Sequence, residues 1–372
     1  MADESVVVMV GDFDPEHPRE TYVRRGLDRL GVGVRECRFR DEPLFIGVRK
    51  LLLLPYFYLL LGRRMRAVLA EQVDVRAVYV SKFNPLVLPF GALYARRLGC
   101  PLVYDIYVSL SVTAEMRGYA SPLVRAVHGL ERLTYRLPTH VLVGTDHLAD
   151  RYADIYGVPR ERFVRLPPAA DDERFHPRDL DEREPFTALY WGNFLPHHGM
   201  DVIADAARAL DGDGVEVVFL GTGPEHDRLE AELGGLDHVR FEGFVPREDL
   251  HRWIEVSGVC LGVFSPHPRA LASLTNKVCE AAASGKAIVT ERSPAMTEWF
   301  EHGESVYLVE PGDPDALADA VRTLRDDPET VARLEAGARA VHEREFTVER
   351  AGEILAPIVG IEASAEGRTT DG

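Results

Sequence analysis

Short apolar runs alternate with longer amphipathic segments along the whole chain, a pattern typical of parallel β-sheets covered by helices. Each run is bounded by Gly, Pro or Asp and is followed by a stretch whose apolar residues have helical spacing. The pattern therefore predicts an α/β fold in both halves. The predicted strands are Ser5–Val10, Val75–Val80, Leu102–Tyr104 and His140–Val143 in the first half, and Phe186–Tyr190, Glu216–Leu220, Val239–Phe241, Val259–Val263 and Ala287–Thr290 in the second.

A segment rich in proline and charge divides the chain. Residues 166–185 contain four prolines among many charged side chains, a composition typical of a linker. Since 372 residues are enough for two domains, we expect a first domain over residues 1–165 and a second over residues 186–345. A closing helix is expected within residues 346–362, and the small polar residues 363–372 predict a disordered tail.

One aliphatic segment, Leu51–Leu61, stands apart from this pattern. Eleven residues span about 16 Å as a helix, roughly half of the hydrocarbon core of a bilayer, so the segment is too short to cross a membrane. It is either a helix of the first domain's core, interrupted at Pro55, or an interfacial element. Residues 38–66 carry seven cations and two anions, which favours contact with anionic lipid. The candidate membrane contacts are Arg49, Lys50, Arg63, Arg64 and Arg66.

Glycine-containing turns follow the first two strands of the second half. Gly192 lets the backbone approach a ligand closely, and a helix that starts near Gly199–Asp201 offers unpaired N–H groups to an anion. The next strand ends in Gly221-Thr222-Gly223. This turn lacks the third glycine of the dinucleotide-binding signature, which disfavours a dehydrogenase.

The segment from 272 to 290 carries the strongest signal. Thr275 or Ser273 can cap a helix that places Lys277 and Glu280 on one face, three residues apart. A cation beside a helix N-terminus suits a diphosphate, and the carboxylate can accept hydrogen bonds from ribose hydroxyls. The alternative is a salt bridge between Lys277 and Glu280, worth a few tenths of a kcal/mol.

The second half resembles the nucleotide-sugar domain of group-1 glycosyltransferases (glycosyltransferase family 4, GT-B fold). Five motifs occur in order and at ordinary spacings over about 160 residues: Gly192 to His198-Gly199, Phe219–Pro224, Val239–Val245, Asn276–Lys286 and Tyr307–Leu317. The first half resembles this family more faintly, in Pro101–Asp105 and Val141–Asp150.

The resemblance implies two Rossmann-like domains that face each other across a cleft, with the donor bound mainly by the second and the acceptor by the first. It also implies a last helix that packs back on the first domain. Family members usually retain the anomeric configuration without a metal, and the leaving phosphate is thought to help deprotonate the acceptor. The implied base and ribose contacts are Phe244, Val245 and Glu280, and the implied diphosphate contacts are Gly192, Asn193, His198, Lys277 and the amides of Leu274, Thr275 and Asn276.

The chain departs from the family pattern at three positions. Ala272 replaces the first Glu of a frequent Glu-x7-Glu motif, and Asn193 and His198 replace the Arg and Lys that commonly bind the diphosphate. The loss of two cations weakens charge stabilisation. A weak or inactive relative that acts as a nucleotide-binding or scaffold protein is therefore the alternative function. A nucleotide-sugar epimerase is disfavoured, because the expected acidic pair and histidine cannot be placed.

The first half offers one candidate catalytic residue. Asp105 ends a strand, where α/β sheets place their ligands, and could orient an acceptor hydroxyl or steady charge at the anomeric carbon. A strand-end or helix-capping role is the alternative. Asp12 and Asp14 mimic a metal-binding Asp-x-Asp motif, but they follow the first strand, where Asp is a common turn residue. Gly11 is expected near the donor phosphates.

The net charge and the composition limit the classes of molecule that the protein is expected to bind. The formal net charge is −17, of which residues 1–180 carry +3 and residues 181–372 carry −20. Nucleic acid is therefore an unexpected partner, and only the first domain should approach anionic lipid. The acidic, lysine-poor composition is typical of salt-adapted or GC-rich sources.

The remaining features predict where the protein works. The four cysteines are far apart, and the acidic N-terminus has no basic segment of a secretory signal. These features predict a cytoplasmic protein, one that can associate with the inner face of the cell membrane. The sequence thus predicts a retaining glycosyltransferase that uses a nucleoside-diphosphate sugar and a glycan or lipid-linked acceptor, without a metal or other cofactor.

Overall fold

The computed structural model describes residues 4–38, 54–81, 85–106, 109–116, 118–178 and 185–362. The chain divides into two compact units. The first unit is Met1–Leu166 with Val348–Gly372, and the second is Pro167–Thr347. Each unit contains a six-stranded parallel sheet with flanking helices, which confirms the predicted α/β class with two Rossmann-like domains.

The sheet of the first unit has the strand order β2-β1-β3-β4-β5-β6. Its central strands are apolar because helices cover both faces. The strands are β1 (Ser5–Gly11), β2 (Gly33–Arg38), β3 (Asp74–Val80), β4 (Leu102–Asp105), β5 (His140–Val143) and β6 (Phe163–Arg165). The helices of the described residues in this half are α1 (Pro18–Arg29), α2 (Leu54–Ala70), α3 (Leu88–Leu98), α4 (Leu110–Met116), α5 (Ser121–Thr134) and α6 (Asp146–Tyr156).

Right-handed crossovers distribute these helices over the two faces of the first sheet. The chain moves from β1 to β2 in one direction, through α1, and then from β2 to β6 in the opposite direction, which places α2, α3, α5 and α6 on the other face. The last helix, α15 (Val348–Leu355), packs on α1. Gly26 and Gly352 permit this contact, because a Cβ on Gly26 would lie 2.9 Å from the Gly352 nitrogen.

The sheet of the second unit has the order β12-β11-β10-β7-β8-β9. Its strands are β7 (Phe186–Gly192), β8 (Val215–Gly221), β9 (Val239–Gly243), β10 (Val259–Leu261), β11 (Ile288–Glu291) and β12 (Tyr307–Val309). Its helices are α7 (Met200–Ala209), α8 (His226–Leu233), α9 (Leu250–Val256), α10 (Pro268–Leu271), α11 (Asn276–Ala283), α12 (Pro294–Thr297), α13 (Pro314–Asp326) and α14 (Pro328–Glu345). Apolar clusters on the two sheet faces form its core.

All nine strands predicted from the sequence are present, and β2, β6 and β12 were missed. The three missed strands lie at sheet edges. β2 carries Arg35, Glu36 and Arg38, while β6 and β12 have three residues each. Short or charged strands are typical of sheet edges, where one side of the ladder stays unpaired.

From Pro167 on, the described part of the segment predicted as a linker packs within the second unit. Phe175 is fully buried, Ala170 donates its N–H to the Phe346 carbonyl, and Asp172 contacts His342 Nε2 at 2.5 Å. Residues 179–184 and the predicted tail 363–372 lie outside the described residues.

The described part of the aliphatic segment lies in α2, where Pro55 is the second residue. The predicted interruption at Pro55 stays a prediction, because the residues before Leu54 lie outside the described residues. One face of α2 is buried through Phe57, Leu61 and Met65. The predicted contacts Arg63, Arg64 and Arg66 are exposed. Leu51–Leu53, Arg49 and Lys50 lie outside the described residues.

Candidate functional site

Two glycine turns meet at the carboxyl ends of β7 and β8. A Cβ on Gly221 would lie 2.1 Å from the Gly192 carbonyl oxygen, and one on Gly223 would lie 1.8 Å from the Asn193 carbonyl oxygen. Both residues also have positive φ values. Gly221 and Gly223 are therefore required by the packing of one turn against the other, a reason that the sequence pattern did not reveal.

Lys277 lies beside the first of these turns. Its ammonium is 3.5 Å from the position that a Cβ on Gly192 would occupy, and 3.7 Å from the centre of the Tyr190 ring. The residue is only 6% exposed, and its Nζ has no hydrogen-bond partner. A buried cation without a partner is costly to the fold, so this arrangement is chemically suited to receiving an anion.

The alternative salt bridge between Lys277 and Glu280 is not formed. Glu280 is buried, and its two oxygens accept hydrogen bonds from Trp191 Nε1 at 3.0 Å and from Arg247 at 2.6 Å. Arg247 also stacks over the Phe175 ring. Glu280 is thus held in one orientation by a strand and a loop, while Lys277 is left for another partner.

The first turn of α11 adds backbone donors next to this cation. Thr275 occupies the N-cap position, but its side chain makes no capping hydrogen bond. Its Oγ1 is buried and has no hydrogen-bond partner. Ser273 donates to the Arg269 carbonyl instead. The predicted side-chain cap is therefore wrong, and an anion could take up the N–H groups that a cap would have satisfied.

His198 is the second polar group at this point. Its Nδ1 lies 2.9 Å from the Tyr190 hydroxyl. Burial, together with the nearby charge of Lys277, lowers the pKa of His198 to about 2, and burial with Arg269 lowers the pKa of His197 to about 4. Both imidazoles are neutral at physiological pH. If the tyrosine hydroxyl donates to Nδ1, then Nε2 of His198 carries the proton and is a donor.

Burial also sets the charge of Lys277. It lowers the pKa of Lys277 to about 7, although the carboxylates of Glu291 and Glu280 act in the opposite direction. Burial raises the pKa of Glu291 well above its usual range, and Lys277 opposes this shift. Glu291 ends β11 with a buried Oε2 that has no hydrogen-bond partner. An incoming anion would favour the ammonium form of Lys277.

The other predicted donor contacts occupy the surface and interior of the second unit. Phe244 is 76% exposed, which leaves its ring free to stack. Thr222 and Asn193 are exposed, and Val245 and Asn276 are partly buried. Leu274 and the departure position Ala272 are buried. The second unit thus brings Gly192, His198 and Lys277 together at one point.

In the first unit, Asp105 lies in a buried polar network. It is 1% exposed and forms a bidentate pair with Arg19, at 2.7 and 2.9 Å. Its Oδ2 also accepts the hydroxyl of Tyr79 at 2.6 Å. Arg19 additionally donates to the Leu166 carbonyl. The catalytic role of Asp105 stays a prediction, and these contacts describe a strand-end residue that anchors α1 to the sheet.

The first glycine and the Asp-x-Asp sequence follow β1. Gly11 is buried, with a φ of 136°. Asp14 accepts the N–H of Glu16 at 3.0 Å, the geometry of a turn residue. Among the residues that the structure describes, no group of three or more His, Cys, Asp or Glu side chains could hold a metal ion.

Sequence reasoning missed four residues of the second unit's site: Tyr190, Trp191, Arg247 and Glu291. Tyr190 and Trp191 belong to an apolar strand and carry no polar pattern. Arg247 is distant from Glu280 in sequence. Only Glu291 offered a signal, since it is a carboxylate at the carboxyl end of a buried strand.

Comparisons with known proteins agree with this architecture. Residues 2–169 match the family model described as "Glycosyl transferase 4-like domain", and residues 185–327 match "Glycosyl transferases group 1". The chain is 28% identical over 272 residues to D-inositol 3-phosphate glycosyltransferase 1 of Catenulispora acidiphila, covering 67% of this chain and 64% of that protein. The matched region is thus just under two thirds of that relative's length.

Two further matches extend the comparison. A GDP-mannose-dependent α-(1-6)-phosphatidylinositol monomannoside mannosyltransferase of Mycobacterium tuberculosis is 26% identical over 297 residues, covering 74% of this chain and 73% of that protein. The crystal structure of HepE from Anabaena in complex with UDP and glucose superimposes with a TM-score of 0.69 at 17% identity, covering 96% of this chain and 99% of that chain.

The fold and these matches define the class of protein as a glycosyltransferase. More narrowly, the chain belongs to the group-1 glycosyltransferases and has the GT-B fold, as the motifs of its second half predicted.

Proposed function

We propose that the protein is a retaining glycosyltransferase that transfers a sugar from a nucleoside-diphosphate donor, bound by the second unit, to an acceptor bound by the first. The observation that carries this proposal is the Lys277 ammonium, which is buried, has no hydrogen-bond partner and lies beside the Gly192 turn. The diphosphate of a nucleotide sugar supplies the anion that this cation lacks.

Different residues around Lys277 bind the diphosphate, the ribose and the base of the donor. Lys277, Nε2–H of His198 and the first-turn amides of α11 bind the diphosphate. Glu280, held by Trp191 and Arg247, accepts hydrogen bonds from the ribose hydroxyls. Phe244 and Val245 contact the base, and the exposed ring of Phe244 stacks on it.

The same groups promote bond cleavage. When the bond between the sugar and the diphosphate breaks, negative charge develops on the leaving phosphate. Lys277 and the helix amides are already oriented in a buried environment, so they stabilise this charge without reorganisation. His198 supplies a neutral donor where the wider family has a cation, which lowers the total positive charge and requires Lys277 to carry most of the stabilisation.

The acceptor is proposed to be lipid-linked, and the enzyme to work at the cytoplasmic face of the cell membrane. The mycobacterial relative is a phosphatidylinositol monomannoside mannosyltransferase by name. In this chain, Arg63, Arg64 and Arg66 are exposed on α2 of the less acidic unit. No described helix has both the length and the apolar composition that a membrane crossing requires.

The test is a panel of UDP- and GDP-sugars, scored by release of the nucleoside diphosphate and, for the active donor, by the anomeric configuration of the product. We expect turnover with one donor and its loss by at least about a hundredfold in Lys277→Met. Lys286→Met is the matched control, because it removes another buried lysine of the same unit, one that pairs with Glu335 at 3.4 Å. Tight binding of a nucleotide without turnover, whatever the acceptor, would instead favour the inactive relative.

A further inference from the structure

Exposed apolar side chains are concentrated on one helical face of the first unit. Nine large hydrophobic residues are exposed among the described residues, and seven of them belong to α2, α3, α5 or the turns beside α5. These helices lie on the same face of the sheet, since they connect strands that advance in one direction. The seven residues are Tyr56, Leu59, Leu93, Tyr119, Leu123, Leu133 and Leu137.

The exposed charged side chains of the same three helices are all positive. Their only acidic residue is Glu131, which is fully buried and accepts hydrogen bonds from Tyr135 and from the amides at the start of α4. All seven of their arginines are exposed, and among the described residues none of them forms an ion pair. The arginines are Arg63, Arg64, Arg66, Arg96, Arg97, Arg125 and Arg132.

This composition is unusual for this protein. The chain contains 60 acidic residues and has a net charge of −17, so an ordinary solvated surface would carry many carboxylates. Acidic side chains flank these helices: Glu71, directly after α2, is exposed and pairs with Arg35. Asp146 and Asp150 of α6 pair with Arg160, while Glu115 of α4 is exposed. We call the exposed side of α2, α3 and α5 the arginine–leucine face.

The geometry of α5 shows how the two residue types are arranged. At about 100° per residue, Arg125 and Arg132 lie on the same side of α5, and Leu133 lies about 80–100° from them around the helix axis. Leu133 is 69% exposed. An exposed leucine that flanks a pair of exposed arginines suits the interface of a bilayer, with the leucine among the acyl chains and the arginines at the headgroups.

We propose that the arginine–leucine face docks the protein on a lipid surface rich in anionic headgroups, through α5 and α3 as well as α2. This inference deepens the proposed function, on which it rests, because it specifies the surface that would hold the enzyme at a lipid-linked acceptor. The occupant is a lipid surface because the face spans three helices, offers cations without carboxylates and combines them with exposed leucines.

The test compares the full chain and its variants by co-sedimentation with phosphatidylcholine vesicles, with and without about one third phosphatidylglycerol. We expect wild type to bind only the anionic vesicles. Arg125→Glu with Arg132→Glu should weaken binding by more than about tenfold, since each lost cation costs about fivefold. Leu123→Ser with Leu133→Ser should weaken it as well. The matched control is Arg252→Glu with Arg344→Glu, which makes the same charge change at exposed positions of the second unit.

Two readouts separate this inference from the proposed function. Circular dichroism and melting temperature establish that each variant is folded, and release of nucleoside diphosphate in vesicle-free solution reports the chemistry. Unchanged release with lost vesicle binding supports the inference. Vesicle binding by the α5 variants equal to that of wild type, or no binding of wild type to anionic vesicles, would overturn it. Absence of release from wild type would contradict the proposed function alone.

Discussion

The Lys277 ammonium lies 3.7 Å from the centre of the Tyr190 ring. The ring supplies the electron-rich surface that a buried cation needs in the absence of a carboxylate. The hydroxyl of the same tyrosine contacts His198 Nδ1 at 2.9 Å. One strand residue therefore contacts both side chains that we assign to the diphosphate.

Tyr190→Phe tests this double role. The variant keeps the ring beneath Lys277 but removes the hydroxyl that holds His198 in one tautomer. We expect the nucleoside-diphosphate affinity to fall about three- to tenfold, with little change in melting temperature, because a single hydrogen bond is worth about 0.5–1.5 kcal/mol. In a His198→Ala background the same substitution should have almost no effect. Equal effects in both backgrounds, measured by calorimetry, would contradict the coupling.

Lys277→Met should stabilise the free protein. The buried ammonium has no hydrogen-bond partner, so a methionine of similar length removes a desolvation cost and should raise the free energy of unfolding by about 1–3 kcal/mol at neutral pH. Lys286→Met should do the opposite, because that lysine is paired with Glu335. Thermal melts of the two variants without nucleotide provide the measurement. A lower melting temperature for Lys277→Met would show that the lysine is structural.

Donor affinity should depend on pH through Lys277. Burial lowers its pKa to about 7, so above pH 7 the free protein must take up a proton when it binds the diphosphate. Affinity should therefore decrease as the pH rises above 7, by up to about tenfold per unit. The stability of the free protein should change in the opposite direction, increasing between pH 7 and about 10 because only the unfolded chain keeps this proton. Calorimetry in two buffers of different ionisation enthalpy measures the proton uptake, and uptake that is absent at pH 8 would contradict the assignment.

Asp105→Asn should destabilise the first unit by about 3–5 kcal/mol. The substitution leaves the buried Arg19 guanidinium without its bidentate partner, and breaking one half of a buried pair has this cost. Replacement of both residues, Arg19→Met with Asp105→Leu, should recover part of the loss. Melting temperatures distinguish the two roles of Asp105. A fully stable but inactive Asp105→Asn variant would favour the catalytic role predicted from the sequence.

The sequence was sufficient for the α/β class and for the central strands, because buried strands are continuous apolar runs. It was insufficient to predict β2, because this strand carries Arg35, Glu36 and Arg38 and lacks a continuous apolar run. Such a strand is tolerated at the edge of a sheet, and only the assembled sheet shows that β2 is at the edge.

Prediction of the site was limited by contacts between distant residues. The spacing of Lys277 and Glu280 predicted that both lie on one helix, α11, but it did not predict which residues they contact. Arg247 reaches Glu280 from a loop, and Tyr190 reaches Lys277 from β7. Such pairings depend on tertiary packing, so a single sequence offers an i,i+3 salt bridge as an equally good explanation. The structure decides against that bridge.

The most direct test of the account is the binding of UDP and GDP to wild type and to Lys277→Met, measured by titration calorimetry at pH 7. We predict that wild type binds one of the two nucleotides and that Lys277→Met binds it at least about thirtyfold more weakly while remaining folded. Equal affinity for that nucleotide in the two proteins would contradict the assignment of the buried lysine to the donor diphosphate.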